Sequence, residues 1–384
     1  MSSPRFDLLG VGSPIMDLLA PVPLEFLQHV PGEKGGMVLV DHDQMEAILA
    51  HLAQAPAHAT GGSAANATFN ATRLGLRTSF LGKLGNDELA RIYRERFTTV
   101  GVDASRFKEG QQANARSLIL VTPDADRTMR THLGAAMTLS PDEISPADFA
   151  DVRHAHIEGY LVFNQALADA VLASARTAGC TVSLDLSSFE VVGASRAWLF
   201  SQFHKGIDVV FANEDEIRAL FEDQTSPYEN LTRRLADYGV LAAVKLGKDG
   251  AWIAREKEIH RIDPVRVNDV VDTNGAGDAW AAGFLAGYLR DWSLPRCGAL
   301  ASIMGAETVR HMGPLIPDVA WPDVTARLKK SDAAALRGLS RAQARSITSR
   351  SEDPLVPCFR DSLIRFTPHG VPTGCGLWRN PVLT

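Results

Sequence analysis

The sequence predicts an α/β fold: a mostly parallel sheet with helices on both faces and a small β excursion beside it. Three observations predict it. From about residue 150, apolar runs of strand length at 155–159, 181–185, 209–212 and 242–246 alternate with helical stretches at 164–177, 189–202 and 227–238. Strands spaced by helices of that length form a parallel sheet through helical crossovers. The chain also opens on a buried-strand pattern, residues 6–12 (FDLLGVG). Finally, the glycine-rich stretch 272–278 (DTNGAGD) runs into 279–289 (AWAAGFLAGYL), whose small apolar residues predict a buried helix.

At 384 residues the chain can hold one large α/β domain or two ordinary ones. The expected division is a domain over 1–330 and a tail over 331–384. From residue 337 the sequence is rich in Arg, Ser and Pro without sustained periodicity, so the tail is expected to be poorly ordered and is assigned no chemistry. The net charge is −6 with no long basic run, so nucleic acid is not an expected partner. No stretch approaches the ~20 apolar residues that span a membrane. The first residues lack a charged-then-apolar signal pattern, and a cytoplasmic enzyme is the expectation. Cys180, Cys297, Cys358 and Cys375 are far apart and form no C-x-x-C pair, which argues against a zinc site or a disulfide framework.

Taken in order, residues 6–12 end in a glycine turn and place Asp17 just past the strand. Gly10 and Gly12 suggest a dinucleotide loop. The third glycine would fall at Ile15, and Pro14 blocks an immediate helix, so that reading fails. Residues 21–40, punctuated by Pro and Gly, break the strand–helix alternation and suggest a small β excursion. Residues 41–52 predict an amphipathic helix. Gly61 and Gly62 open another, which runs to about Leu74 and stops at Gly75. Two alternating runs, 115–122 and 127–133, flank Pro123-Asp124-Ala125-Asp126 and predict a hairpin. Arg130 and His132 on it suit either substrate contact or an exposed face. Residues 294–312 predict a long last helix ending at Gly313-Pro314.

The chemistry concentrates at 272–278. Where a loop becomes a helix N-terminus, backbone N–H groups lack intrahelical partners and the helix dipole favours negative charge. Gly275 and Gly277 have no Cβ, so a phosphate can come close to those groups. Asp278 lies in the first turn. An anion cradle beside a carboxylate suits phosphoryl transfer: the cradle takes the migrating charge and the carboxylate takes a proton from the attacking hydroxyl. Ordinary capping accounts for Gly-Ala-Gly-Asp alone equally well. Near a positive helix end, Asp278 is expected to have a low pKa and to be a weak base. Asn213 and Glu216, after the strand at 209–212, suit either Mg²⁺ bound through water or a capping box. Residues 244–251 (VKLGKDGA) predict strand, glycine turn and strand, with Lys248 on the turn.

The string 272–278 resembles the second signature of the ribokinase-like, or PfkB-type, sugar and nucleoside kinases. Gly61-Gly62-Ser63-Ala64-Ala65-Asn66 is similar to the first signature, Gly-Gly-x-x-x-Asn. Gly82-Lys83-Leu84-Gly85-Asn86-Asp87 matches a Gly-x-x-Gly-x-Asp pattern of the same family. The resemblance covers roughly the first 330 residues. It implies a three-layer sandwich with a small β lid, built from strands within about 20–40 and 115–134. It implies transfer of the γ-phosphoryl group of ATP to a hydroxyl. Asp278 becomes the base, and the N–H groups of Gly275, Ala276 and Gly277 the anion hole. Asp17, Gly61, Gly62 and Asn66 hold the acceptor. Asn213, Lys245, Gly247, Gly250, Thr273 and Ala306 face ATP, and Glu216 holds Mg²⁺ through water. The lid edge offers a surface for a homodimer.

Ser63 stands where ribokinases usually carry Lys. Residues 12–17 (GSPIMD) and 127–136 look more like the adenosine-kinase branch. The expected acceptor is therefore a nucleoside such as adenosine, ahead of a free sugar such as ribose or fructose. A non-catalytic binding relative is expected to lose the base or the anion hole, and both are present. A nicotinamide-dependent dehydrogenase is disfavoured by Ile15.

Overall fold

The computed structural model describes residues 5–327 apart from residue 125. The expectation for the tail therefore lies outside the described residues. The first half comprises β1 (Phe6–Val11), β2 (Ile15–Pro21), β3 (Met37–Leu39), α1 (His42–Ala50), β4 (Ala57–Gly61), α2 (Ser63–Arg73), β5 (Thr78–Leu81), β6 (Lys83–Leu84), α3 (Glu88–Val100), β7 (Lys108–Glu109), β8 (Arg116–Val121) and β9 (Arg127–His132). The second comprises β10 (Val152–Glu158), α4 (Gln165–Thr177), β11 (Thr181–Asp185), α5 (Phe189–Phe203), β12 (Val209–Ala212), α6 (Glu214–Phe221), α7 (Tyr228–Ala236), β13 (Leu241–Lys245), β14 (Ala251–Arg255), β15 (Glu258–Ile262), α8 (Ala276–Tyr288) and α9 (Leu294–Thr308).

Eight strands form the central sheet in the order β15-β14-β13-β12-β11-β10-β1-β5. All pair in parallel except β14 and β15, which pair antiparallel at one edge. Side chains alternate across it with period two. Leu9, Val182 and Val210 pack on one face against α4 to α7. Leu8, Val209 and Phe211 pack on the other against α2, α8 and α9. A strand covered on both faces has no polar side, which is why β12 (VVFA) is buried throughout. The small residues of α8 let α9 approach closely, since a Cβ on Gly283 would lie 2.8 Å from Ala301 Cα.

A second sheet of five strands, β3-β9-β8-β2-β4, forms the lid. It has its own core, in which Met16, Leu18, Leu118 and Leu120 pack with Met45, Ile48, Tyr93 and Phe97. The lid is larger than the expectation of strands within 20–40 and 115–134, because Ile15–Pro21 and Ala57–Gly61 join it as an antiparallel pair. Asp17 consequently sits inside β2 rather than past a strand end. The excursion at 21–40 supplies only the three residues of β3.

Arg130 and His132 serve the lid itself. The buried Arg130 guanidinium donates to the carbonyls of Met129 at 2.7 Å and of Glu33 and Gly36 at 3.1 Å, and also to Pro31, so it organises the 31–36 loop. His132 Nδ1 lies 3.3 Å from the Val40 carbonyl. Residues 263–274 contain no strand, so the glycine loop follows an extended connection instead of β structure. The last predicted helix ends at Thr308, four residues early, in turns that return the chain to the glycine loop. Among the described residues no helix is long and apolar enough to cross a membrane.

Candidate active site

The glycine loop is folded by Asp272. Its Oδ1 accepts the Asn274 N–H at 3.0 Å and Arg127 Nη1 at 2.8 Å, and its Oδ2 accepts the Gly313 N–H at 2.7 Å. Burial opposes that charge, but Arg127 and the two amides hold the carboxyl below its usual range. Arg127 begins β9, so the same pair ties the lid to the loop. Gly275 caps α8 at φ 72°, where a Cβ would lie 2.5 Å from Pro314. Only glycine fits there, on conformation and on space. Of the three amides expected to form the anion hole, that of Ala276 donates to the Thr273 carbonyl in a long 3.3 Å bond. The amides of Gly275 and Gly277 belong to the helix start and have no intrahelical acceptor.

The Asp278 carboxylate stands in the first turn of α8 and is held from across the cleft. Ser63 Oγ donates to its Oδ1 at 2.8 Å and Asn66 Nδ2 to its Oδ2 at 2.9 Å. Its pKa is pushed up to about 6, by burial first and then by the Asp185 carboxylate, against the donors Asn66 and Ser63 and the Lys245 cation. The expectation of a low pKa is thus overturned. The partial charge of a helix end is outweighed by desolvation and a neighbouring anion.

Beside this turn lies a buried cation. Lys245 Nζ donates to Asp185 Oδ2 at 2.8 Å, and a Cβ on Gly277 would lie 3.4 Å from Nζ. Burial alone would lower this ammonium, but Asp185 and Glu216 raise it above its ordinary value. Glu216 is pushed up to about 7 by burial and by Asp185. It forms the capping box of α6, with the Asn213 N–H donating at 2.8 Å, Asn213 Nδ2 at 2.7 Å and the Glu216 N–H returning to Asn213 Oδ1 at 2.9 Å.

On the lid side, Asp17 is buried with Gly61 beneath it, where a Cβ would lie 2.7 Å from both carboxylate oxygens. Burial, then Asp278, pushes Asp17 up to about 7, with Arg127 opposing. Gly62, at φ 99°, caps α2. Asn66, expected to hold the acceptor, spends its amide on Asp278. The remaining expectations concern residues expected to face ATP. Gly247 and Lys248 are exposed on a turn. Gly250 is packed against protein, a Cβ there falling 2.1 Å from the Ile262 carbonyl, so its close approach serves the turn. Thr273 is exposed on the glycine loop, and Ala306 is buried on α9, next to Gly305 behind Ala276.

The family model of the pfkB family carbohydrate kinases matches residues 35–320. The chain belongs to the pfkB family. This pfkB-family kinase is 32% identical to an adenosine kinase from Sinorhizobium meliloti, with a TM-score of 0.73 over 84% of this chain and 99% of that one. It is 30% identical to a probable sugar kinase from Rhizobium etli, with a TM-score of 0.75 over 84% and 98%. It is also 32% identical to an ATP-dependent ribose-1-phosphate kinase from Halopiger xanaduensis over 66% of this chain and 81% of the relative. The pfkB-family kinase is a phosphotransferase with a hydroxyl acceptor, and kinases of this family use ATP.

Sequence reasoning missed three residues of this site. Asp185 ends a strand that was predicted to end there, at the carboxyl end of the sheet where ligands bind in such folds. That placement was the available signal. Ser63 was read only as the replacement of a lysine, and Arg127 only as a family resemblance.

Proposed function

We propose that this kinase phosphorylates a ribosyl hydroxyl of a nucleoside such as adenosine, using ATP, with Asp278 as the base. The observation that carries the reading is the pair of bonds from Ser63 and Asn66 to Asp278, which joins the acceptor-side glycine motif to the phosphate-side one. Asp17, over Gly61 and Gly62, accepts from acceptor hydroxyls. The acceptor O–H passes its proton to Asp278 as its oxygen bonds the γ-phosphorus. The bond to the β–γ bridging oxygen breaks and ADP leaves. The amides of Gly275 and Gly277, with Ala276 contributing less, and the Lys245 ammonium stabilise the moving charge. Asn213, Gly247, Thr273 and Ala306 flank ATP, and Gly250 shapes the turn beside them. A pKa near 6 makes Asp278 a better base than a helix-end carboxylate would be, since the effective base titrates close to working pH.

The charge set suits a Mg²⁺ that keeps its water, since among the described residues no three carboxylates or imidazoles converge as direct ligands. Asp185, Glu216 and Asp278 set three carboxylates against one ammonium, and two of the three are pushed towards neutral pH. Glu216 with Asn213 would hold the ion through water, the ligation Mg²⁺ prefers. When bound, it would neutralise phosphate charge. The preference for a nucleoside over a free sugar draws on the adenosine-kinase resemblance of the lid hairpin and on the Sinorhizobium relative. We place the enzyme in the cytoplasm, with a homodimer formed along β3, whose Met37 and Leu39 are exposed.

The test is ADP release from Mg-ATP against adenosine, other nucleosides, ribose, fructose and ribose 1-phosphate. Adenosine is expected to turn over fastest, and Asp278→Ala to lose ~10²–10⁴-fold in kcat. A sugar turned over faster selects the other acceptor class. Undiminished turnover in Asp278→Ala sinks the mechanism.

A further inference from the structure

Glu158 is a buried carboxylate that the transfer scheme leaves unused. It ends β10, is 1% exposed, and has both oxygens taken by backbone. Oε1 accepts the Ser13 N–H at 2.8 Å and Oε2 accepts the Ala64 N–H at 3.2 Å. A Cβ on Gly12 would lie 2.2 Å from Oε2. The second glycine of Gly10-Val11-Gly12, which resembled a dinucleotide loop, thus makes room for this carboxylate.

The two backbone partners lie where the chain crosses between lid and core. Ser13 sits in the link from β1, in the central sheet, to β2, in the lid. Ala64 is the second residue of α2, which the chain enters from lid strand β4 through Gly62. The crossings touch, since a Cβ on Gly62 would lie 2.2 Å from the Ser13 carbonyl. A third segment is fastened to the first: Asn114 Nδ2 donates to the Pro14 carbonyl at 3.2 Å. One carboxylate therefore pins two crossings at the turn of α2 that presents Ser63 and Asn66 to Asp278.

The chemistry of the pin is specific. Two converging N–H groups need two acceptors, and an ionised carboxylate is all acceptor. A glutamine of the same shape offers one oxygen and turns an NH₂ donor towards the other N–H. The Ala64 N–H is also one of the orphan donors of a helix start, where negative charge is favoured.

We propose that Glu158 is a positioning residue that registers the lid hinge against α2 and so sets Asp278 and Asp17 at their working separation. The inference rests on Asp278 being the base. Loosening the pin lets Asp17, carried by the lid, and Ser63 with Asn66, carried by α2, shift against Asp278. The Lys245 side of the site is untouched. A shift of about 1 Å costs ~10²-fold in rate.

The experiment compares wild type, Glu158→Gln, Glu158→Asp and Asp278→Asn. It reads kcat and acceptor KM, affinity for a non-hydrolysable ATP analogue, and amide hydrogen exchange. For Glu158→Gln the expected result is a ~10–100-fold loss in kcat/KM for the acceptor, mostly in kcat. Analogue affinity stays unchanged, and exchange accelerates in peptides covering 12–14 and 63–66 only. Glu158→Asp, which keeps the charge on a shorter arm, falls between and carries the same readouts if the glutamine variant does not fold. Wild-type turnover in folded Glu158→Gln overturns the proposal. So does a loss matched by weaker ATP binding and faster exchange throughout the chain. Active Asp278→Asn refutes the base assignment separately, and the exchange pattern then still decides whether Glu158 is the pin.

Discussion

Two buried polar regions lie side by side on β10 and β11. On the sheet face that carries α2 and α8, the side chains alternate as His154, His156, Glu158 on one strand and Thr181, Ser183, Asp185 on the other, paired in that order by the register. In the first region Ser183 Oγ lies 2.8 Å from both His154 Nε2 and His156 Nδ1, and Thr181 Oγ1 lies 2.7 Å from His154 Nδ1. Burial pushes these imidazoles down to about 3 and about 4, so they stay neutral. The second region leads into the cleft, where burial pushes Asp278 up to about 6 and Asp17, Glu158 and Glu216 up to about 7. Desolvation disfavours the charged form in both regions. They differ in what the neighbours are built for. The histidine partners satisfy neutral rings, whereas Ser63, Asn66, the Ser13 and Ala64 amides and Lys245 donate to, or sit beside, carboxylates as anions. Burial with partners for the neutral form makes scaffold, and burial with donors aimed at the charged form keeps carboxylates available as anions near neutral pH.

The contrast is broken hardest at Lys245. Lys245→Met removes the cation beside Gly277 and should lower kcat by ~10²–10³-fold, the range for one preorganised charge-stabilising group. Lys245 also lowers the Asp278 pKa, so its removal raises it. The acid limb of the residual pH–rate profile should therefore move to higher pH. A drop in rate with the limb unmoved would mean that Lys245 touches phosphate without tuning the base.

The sequence carried the glycine loop, Asp278, Gly61, Gly62 and Asn66, and the whole run of strands from β10 to β13. These are local signals: a string of residue types, or a period. It did not carry the partner of each. Ser63 meets a residue 215 positions away and Lys245 one 60 away. Nothing near Asp185 separates a strand-end carboxylate that holds a cation from one in water. The pKa of Asp278 was misjudged for the same reason, because the helix end is local, whereas the burial that raises it and the Asp185 carboxylate are tertiary. Strands β2 and β4 escaped notice because Pro14 and Asp17 interrupt one pattern and Ala57-His58-Ala59-Thr60-Gly61 has scarcely any. They become strands through β2, which pairs with β4 on one side and with β8 on the other.

Stability against pH separates the two regions by sign. Between about pH 4 and 7, unfolded carboxylates have released protons that the folded Asp17 and Asp278 still hold, so these groups make stability fall as pH rises. Between about pH 4 and 6.5, unfolded histidines bind protons that folded His154 and His156 refuse, so they make it rise. The opposed slopes partly cancel in the wild-type protein. Asp17→Asn should gain stability relative to wild type as pH rises, on the order of 3 kcal/mol between pH 4.5 and 8. His156→Gln should lose it over the same range. Urea unfolding midpoints from pH 4.5 to 8 measure both differences. Two difference curves of the same sign would mean that one region has been assigned the wrong charge state.

The gentlest change falls on the scaffold. Ser183→Ala removes the hydroxyl shared by two imidazoles and leaves His154 Nε2 and His156 Nδ1 facing a methyl group. The cost of buried polar atoms left without partners is ~1–3 kcal/mol, read as a lower unfolding midpoint. Turnover below the transition should be unchanged, because Ser183 touches neither Lys245 nor Asp278. Two residues further along the strand, Asp185 bears on Lys245 directly, so Asp185→Asn should change kcat. If Ser183→Ala instead lowered kcat while the unfolding midpoint held, the histidine ladder would be continuous with the site. The boundary would then lie one residue pair further back, between His154 and His156, and the neutral rings would have to act on Lys245 through Asp185.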